Sequence, residues 1–108
     1  MYNIRMAFND HDIDRLMSYI NTGYLHKGQS RWEIREVWLD RMAEFLIIDF
    51  QNICIEVHDD RAVVSFTMKL QNQTESVYST EPERHGDLSY FIYVNNIWWV
   101  YGNQLYYK

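Results

Sequence analysis

Residues 53–70 read ICIEVHDDRAVVSFTMKL, and this stretch decides the class of the fold. Apolar residues occupy every second position in both halves, 53–57 and 62–70, and Asp59 and Asp60 separate the two halves. Such alternation is typical of strands with one buried face, and paired acidic residues between strands favour a turn. The stretch therefore predicts two antiparallel strands, each with a core-facing side and a more polar side.

The residues upstream of this stretch have helical periodicity instead. Apolar side chains recur at helical spacing over 10–20, and a shorter helical turn is predicted before them. Ser30 and Glu33 have the spacing of a capping box, in which each side chain bonds the other residue's backbone amide, and the helix they begin is predicted to end near Leu46. Helices followed by strands favour an α+β domain over alternating βαβ units.

The residues downstream predict two more strands and an interaction surface. The strands span 88–94 and 97–107, and two asparagines between them turn the chain into a hairpin. The polar segment 71–86 is long, so we expect the flanking strands to extend into it and to leave an exposed loop near 80–85. Both faces of the hairpin are apolar, and only one can cover the helices. We therefore predict a homodimer that forms through the sheet.

Length, composition and charge exclude several classes of function. With 108 residues and 47% hydrophobic content, the chain is expected to form a single domain, 1–108. The net charge of -5 and the scattered basic residues argue against a nucleic acid partner. No apolar run reaches the roughly 18 residues of a membrane span, and the N-terminus lacks the pattern of a signal peptide. We therefore predict no membrane partner and a cytoplasmic location.

Four segments resemble a known superfamily in their order and spacing. They are residues 7–16 (AFNDHDIDRL), 24–28 (YLHKG), 60–64 (DRAVV) and 96–102 (NIWWVYG). Together they resemble the nuclear transport factor 2-like (NTF2-like) superfamily, a cystatin-like fold shared by ketosteroid isomerase, scytalone dehydratase and the SnoaL-like proteins. The resemblance implies an α+β cone, in which N-terminal helices pack on a curved antiparallel sheet of four or more strands. It also implies that the open end of the cone can hold a small apolar ligand.

The resemblance further implies which residues line the cone. The candidate ligand-binding residues are Tyr24, His26, Trp38, Phe66, Met68, Ser89, Phe91, Trp99 and Tyr101. Aromatic walls bind apolar or planar ligands, and tyrosine hydroxyl groups can orient them. The opposite interpretation is that these large side chains simply fill the cone and leave a packed core.

Whether Trp99 and Tyr101 line the cone depends on the register of the final hairpin. A two-residue turn aligns Phe91 with Val100, whereas a three-residue loop or a bulge aligns it with Tyr101. We favour the second register, because Tyr101-Gly102 resembles the aromatic-glycine pair that ends the pocket strand of the isomerase.

The chemistry of the isomerase is disfavoured, because it needs a carboxylate base, a tyrosine and a protonated acid. At the corresponding positions the resemblance places His26, Ile4 and Ser89. A neutral imidazole can act as a general base, so an isomerase, dehydratase or hydrolase with His26 as base stays open as an alternative. The leading prediction is a non-enzymatic module that binds a small ligand or a protein. No cofactor is predicted, and no metal site, because the runs 10–12 and 58–60 are better explained as helix-capping and turn residues.

Overall fold

Helices pack on one face of a five-stranded antiparallel sheet in the computed structural model, which describes residues 1–106. The helices are α1 (Tyr2–Asn9), α2 (Ile13–Met17) and α3 (Arg31–Glu44). A small hairpin of β1 (Leu25–His26) and β2 (Gln29–Ser30) precedes α3. The sheet comprises β3 (Ile47–His58), β4 (Arg61–Gln71), β5 (Ser76–Glu81), β6 (Tyr90–Val94) and β7 (Ile97–Val100). The predicted α+β class is confirmed, with helices on a curved antiparallel sheet.

The N-terminal helices break at a different place from the one predicted. The sequence predicted a helical turn before residue 10 and a helix over 10–20, whereas α1 runs to Asn9, α2 begins at Ile13, and His11 between them has a φ of 53°, in the left-handed region. Asp12 then caps α2 by accepting a hydrogen bond from the backbone N–H of Arg15 at 3.1 Å. Periodicity does not reveal a left-handed residue, so the sequence placed the start of the second helix at residue 10 rather than at Ile13. None of the helices within residues 1–106 has the length and apolar composition needed to cross a bilayer.

Helix α3 begins where the capping box predicted, although the box itself is different. The hydroxyl group of Ser30 donates to Oε1 of Glu33 at 2.8 Å, and the Ser30 side chain makes no bond to a backbone amide. The predicted apolar side of the helix is buried at Ile34, Trp38 and Met42. This side packs toward the sheet and closes the interior.

Strand β3 begins six residues before the predicted Ile53, and only its first part is covered by the helices. A bulge interrupts its pairing with β4 between Gln51 and Cys54. Beyond the bulge, the residues predicted to alternate toward the core, Ile55 and Val57, are 62% and 55% exposed. The alternation of β4 is confirmed, since every second side chain from Ala62 to Leu70 is buried. The pair of strands thus extends past the helices as an arm with an apolar inner face.

Strands β5 and β6 lie end to end along the same edge of β4. β5 pairs with residues 66–71 of β4, and β6 pairs with residues 61–63. Residues 82–89 connect them, so the predicted exposed loop at 80–85 is placed between two strands of one edge. This loop is only partly exposed, because residues 86–89 are buried. The second half of the loop is therefore packed into the domain.

The favoured register of the final hairpin is wrong. Phe91 pairs with Val100, as the two-residue turn requires, and Asn95 and Asn96 have φ angles of 53° and 65°. Positive φ at both central residues is characteristic of the two-residue type I′ turn, and asparagine adopts such angles more readily than most residues. The hairpin therefore has no bulge. Trp99 and Tyr101 consequently point to the outer face of the sheet, away from the helices. The predicted strand over 97–107 is also shorter: β7 ends at Val100, residues 101–106 have no regular secondary structure, and residue 107 lies outside the described residues.

Candidate functional site

The structure does not bring the nine predicted ligand-binding residues into one cavity. Six of them are at most 3% exposed, and all six but His26 fill the interior between the helices and the sheet: Tyr24, Trp38, Phe66, Met68 and Ser89. Aromatic rings pack edge to face there, with the centroids of Phe8 and Trp38 5.8 Å apart. The part of the cone covered by the helices is therefore a packed core.

Two polar atoms in this interior have no hydrogen-bond partner within the described residues. They are Nε1 of Trp38 and Oγ of Ser89. A buried polar atom without a partner costs about 1–3 kcal/mol.

An apolar cleft lies on the uncovered arm of the sheet. Its volume is about 210 Å³, and its lining is entirely apolar: Met1, Ile55, Val57, Ala62, Val64, Phe91 and Trp98. The cleft forms because Ile55 pairs with Val64, and Val57 with Ala62, so that these side chains share the inner face. Phe91 is the one predicted ligand-binding residue in it. The two-residue turn places Trp98, rather than Trp99, beside Phe91.

A second, polar cavity lies where the β1–β2 hairpin, α3 and loop 82–89 meet. Its volume is about 380 Å³, and its lining residues are His26, Lys27, Gln29, Val37, Arg41, Arg84, His85 and Asp87. The sequence predicted only His26 among these. Each element supplies polar groups that are far apart in the sequence, which is why no local motif indicated the cavity.

His26 is a buried structural residue of this cavity, with 2% exposure. Its Nδ1 accepts a hydrogen bond from the backbone N–H of Asn103 at 3.1 Å, and its Nε2 donates to the backbone oxygen of His85 at 2.6 Å. These two partners assign the neutral tautomer with the proton on Nε2. Burial lowers the pKa of His26 and keeps the ring neutral. The lone pair of Nδ1 already accepts the hydrogen bond from Asn103. His26 could therefore take a proton from a substrate only if that hydrogen bond broke.

A partly buried ion pair forms one side of the polar cavity. Arg41 donates to the carboxylate of Asp87 at 2.8 Å, and its guanidinium group lies 4.4 Å from the ring centroid of Trp38. The hydroxyl group of Tyr24 donates to the backbone oxygen of Asp87 at 3.0 Å. Burial, and then the charge of Asp87, raise the pKa of Tyr24, so this hydroxyl group stays protonated. Tyr24 therefore supports the cavity wall, with its hydroxyl group bonded to the backbone of the loop.

Glu81 shapes the loop that closes the cavity, and the sequence did not indicate this role. The side chain is buried, and its Oε1 accepts hydrogen bonds from the backbone amides of His85 at 2.7 Å and Gly86 at 2.9 Å. Its Oε2 accepts from the hydroxyl group of Ser79 at 3.1 Å. The sequence predicted only an exposed loop near 80–85 here. The alternation of β5, which puts Ser79 and Glu81 on the inner face, is the signal that could have found it.

His85 is the second histidine of the cavity, and its side chain is partly exposed. Burial lowers its pKa, and the positive charge of Arg41 lowers the pKa further. The imidazole is thus neutral near pH 7 and can either donate or accept a hydrogen bond. Across residues 1–106 no three His, Cys, Asp or Glu side chains group together as a metal site would require.

No protein-family model matches the sequence, and no curated protein matches it either. Solved structures are nonetheless similar in fold. Bd1075 from Bdellovibrio bacteriovorus has a TM-score of 0.72 and 12% identity over 94% of this chain, which spans only 35% of that protein. A cystatin-like protein of unknown function from Nostoc punctiforme has a TM-score of 0.68 and 11% identity, covering 94% of this chain and 80% of the other.

A third similar structure carries the family name directly. It is a proposed dehydratase of the NTF2-like family from Streptomyces avermitilis, with a TM-score of 0.67 and 18% identity, covering 94% of this chain and 85% of that one. Identities this low show the fold alone, and they say nothing of shared chemistry. The chain has the NTF2-like, cystatin-like fold that its sequence resembled.

Proposed function

We propose that this NTF2-like domain is a non-enzymatic binding module, which holds a small apolar ligand in the apolar cleft. The observation that carries the proposal is the exposure of Ile55 and Val57, which line the cleft, because a contiguous apolar surface usually marks an interaction site. The cleft has no charged or polar side chain to position a reacting group. His26, the base of the alternative enzyme hypothesis, lies in the other cavity, and its ring nitrogens are occupied.

Binding of a neutral apolar probe should depend on Val57. With Nile red as the probe, we expect saturable binding and partial quenching of the tryptophan emission, since Trp98, one of four tryptophans, lines the cleft. Val57→Asp places a charge against the ligand and should weaken binding at least about tenfold, which corresponds to about 1.4 kcal/mol.

Val77→Asp is the matched control for that measurement. Val77 is an exposed valine on the same inner face, and it pairs with Leu70 at the other end of the sheet. Its substitution should change the affinity for Nile red less than twofold. Equal losses in the two variants, or no saturable binding by the unmodified protein, would contradict the proposal.

We also propose that the domain forms a homodimer through the outer face of its sheet. Ile92 and Trp99 pair on this face, and Val94 and Ile97 pair beside them. The last two are exposed although both are large and apolar. A second copy placed against this hairpin would remove these side chains from water, and each would contribute roughly 1–2 kcal/mol.

Sedimentation at micromolar concentrations tests the dimer. Ile97→Glu should raise the dissociation constant of the dimer at least about tenfold, because it buries a carboxylate at the interface. Ile47→Glu is the control, since Ile47 has the same 51% exposure as Ile97 and lies on the outer face at the far end of the sheet. A monomeric unmodified protein would overturn the proposal, and so would a similar effect of both substitutions.

A further inference from the structure

We propose that the polar cavity is a second binding site, separate from the apolar cleft, and that it takes a small organic anion with a carboxylate group. It differs from the cleft in every lining residue and lies at the β1–β2 hairpin rather than on the arm. The inference rests on the balance of charge in the cavity, on the donors that face it and on its size.

The cavity has more positive than negative charge. Its one lining carboxylate, Asp87, is already paired with Arg41 at 2.8 Å. The nearby carboxylate of Glu81 is turned toward two backbone amides and a hydroxyl group. Within residues 1–106, Lys27 and Arg84 have no acidic partner within salt-bridge distance, although the whole chain has a net charge of -5. Two cations without partners in an acidic protein form a local site for an anion.

The donor groups match a carboxylate. The guanidinium group of Arg84 offers a planar fork that can bind both carboxylate oxygens, and the ammonium group of Lys27 adds a point charge. The neutral imidazole of His85 and the side-chain amide of Gln29 can bond to other polar atoms of the ligand. Val37 supplies an apolar wall. The cationic groups, the polar donors and the apolar wall together fit a carboxylate that is attached to an organic group.

The size of the cavity also favours an organic ligand. A volume of about 380 Å³ lies within the range of roughly 300–1,000 Å³ that is typical of small-molecule sites. A single inorganic anion would fill only a small part of it. The walls are held before any ligand arrives, by the bonds of Glu81 to the loop and of His26 to two backbone groups. Because the walls are already ordered, a ligand would bind with a smaller loss of conformational entropy.

The test is a titration of the ¹⁵N-labelled protein with benzoate, succinate and citrate, followed by NMR at constant ionic strength. At least one of these carboxylates should produce saturable shifts at the amides of Lys27, His85 and Gly86. Replacing both cations, in Lys27→Gln with Arg84→Gln, should lower the affinity for that carboxylate at least tenfold. Inorganic phosphate should bind at least tenfold more weakly than the best carboxylate.

The matched control replaces one lysine and one arginine elsewhere, in Arg61→Gln with Lys69→Gln. Arg61 is exposed like Arg84, and Lys69 is half-buried like Lys27, so both double variants remove two positive charges from similarly accessible positions. The control should bind the carboxylate within twofold of the unmodified protein. Three outcomes would overturn the proposal: no saturable shift with any of the three carboxylates, equal losses in the two double variants, or phosphate binding as tight as the best carboxylate. None of these bears on Nile red binding at the apolar cleft.

Discussion

Replacing Gly102 by alanine should destabilise the domain by about 3–5 kcal/mol. Gly102 has a φ of 77°, a conformation that costs a residue with a side chain roughly 1–2 kcal/mol. An added Cβ would also lie 2.7 Å from the carbonyl carbon of Leu25 and 2.8 Å from the Cβ of His26, and closer still to the carbonyl oxygen of Leu25. Backbone atoms cannot move aside as a flexible side chain can, so the overlap adds several kcal/mol more.

Urea unfolding measures this effect, and Gly23→Ala is its control. At Gly23 a Cβ would meet Oδ1 of Asn21 at 3.2 Å and the ring of Tyr101 at 3.3 Å, both of them side-chain atoms that can shift. Gly23→Ala should therefore change the free energy of unfolding by less than about 1 kcal/mol. If the two alanine variants were equally stable, the close approach of Gly102 to β1 would be disproved.

The position of Gly102 also bears on the polar cavity. The segment after β7 lies against β1, since the backbone N–H of Leu25 donates to the carbonyl of Tyr101 at 3.1 Å and that of Gln104 donates to the carbonyl of Leu25 at 2.8 Å. The same segment brings the Asn103 amide to His26. Glycine at 102 thus allows the contact that fixes one wall of the proposed anion site.

Replacing Glu81 by alanine should destabilise the domain by about 3 kcal/mol. Three donors lose their acceptor at once: the amides of His85 and Gly86 and the hydroxyl group of Ser79. Each buried donor left without a partner costs about 1–3 kcal/mol, although water entering the loop will recover part of this. The loss should be concentrated in loop 82–89, which β5 and β6 hold only at its ends.

Glu83→Ala provides the comparison, because Glu83 is exposed in the same loop. Its free energy of unfolding should stay within about 0.5 kcal/mol of the unmodified protein. Hydrogen exchange gives a second measurement, in which the amides of His85 and Gly86 should exchange much faster in Glu81→Ala than in Glu83→Ala. Equal exchange rates in both variants would mean that Glu81 does not hold the loop.

The sequence by itself determined the class of the fold, because that class depends on local periodicity. The change from helical spacing to alternation at about residue 53 predicted helices followed by an antiparallel sheet. The turn at Asp59-Asp60, the start of α3 after Ser30 and the buried side of β4 are all as predicted. Each of these features is set by residues a few positions apart, so a single sequence contains the information.

The tertiary structure alone decided where the two cavities lie and which residues line them. The partners of His26 are 59 and 77 positions away from it, and Tyr24 reaches Asp87 across 63 positions. Contacts over such separations depend on how whole elements pack, which local patterns do not encode. The hairpin register shows the same limit on a smaller scale. Both registers satisfied the alternation of apolar residues, and the backbone conformation of Asn95 and Asn96 selected the one that puts Trp98 in the cleft and Trp99 outside.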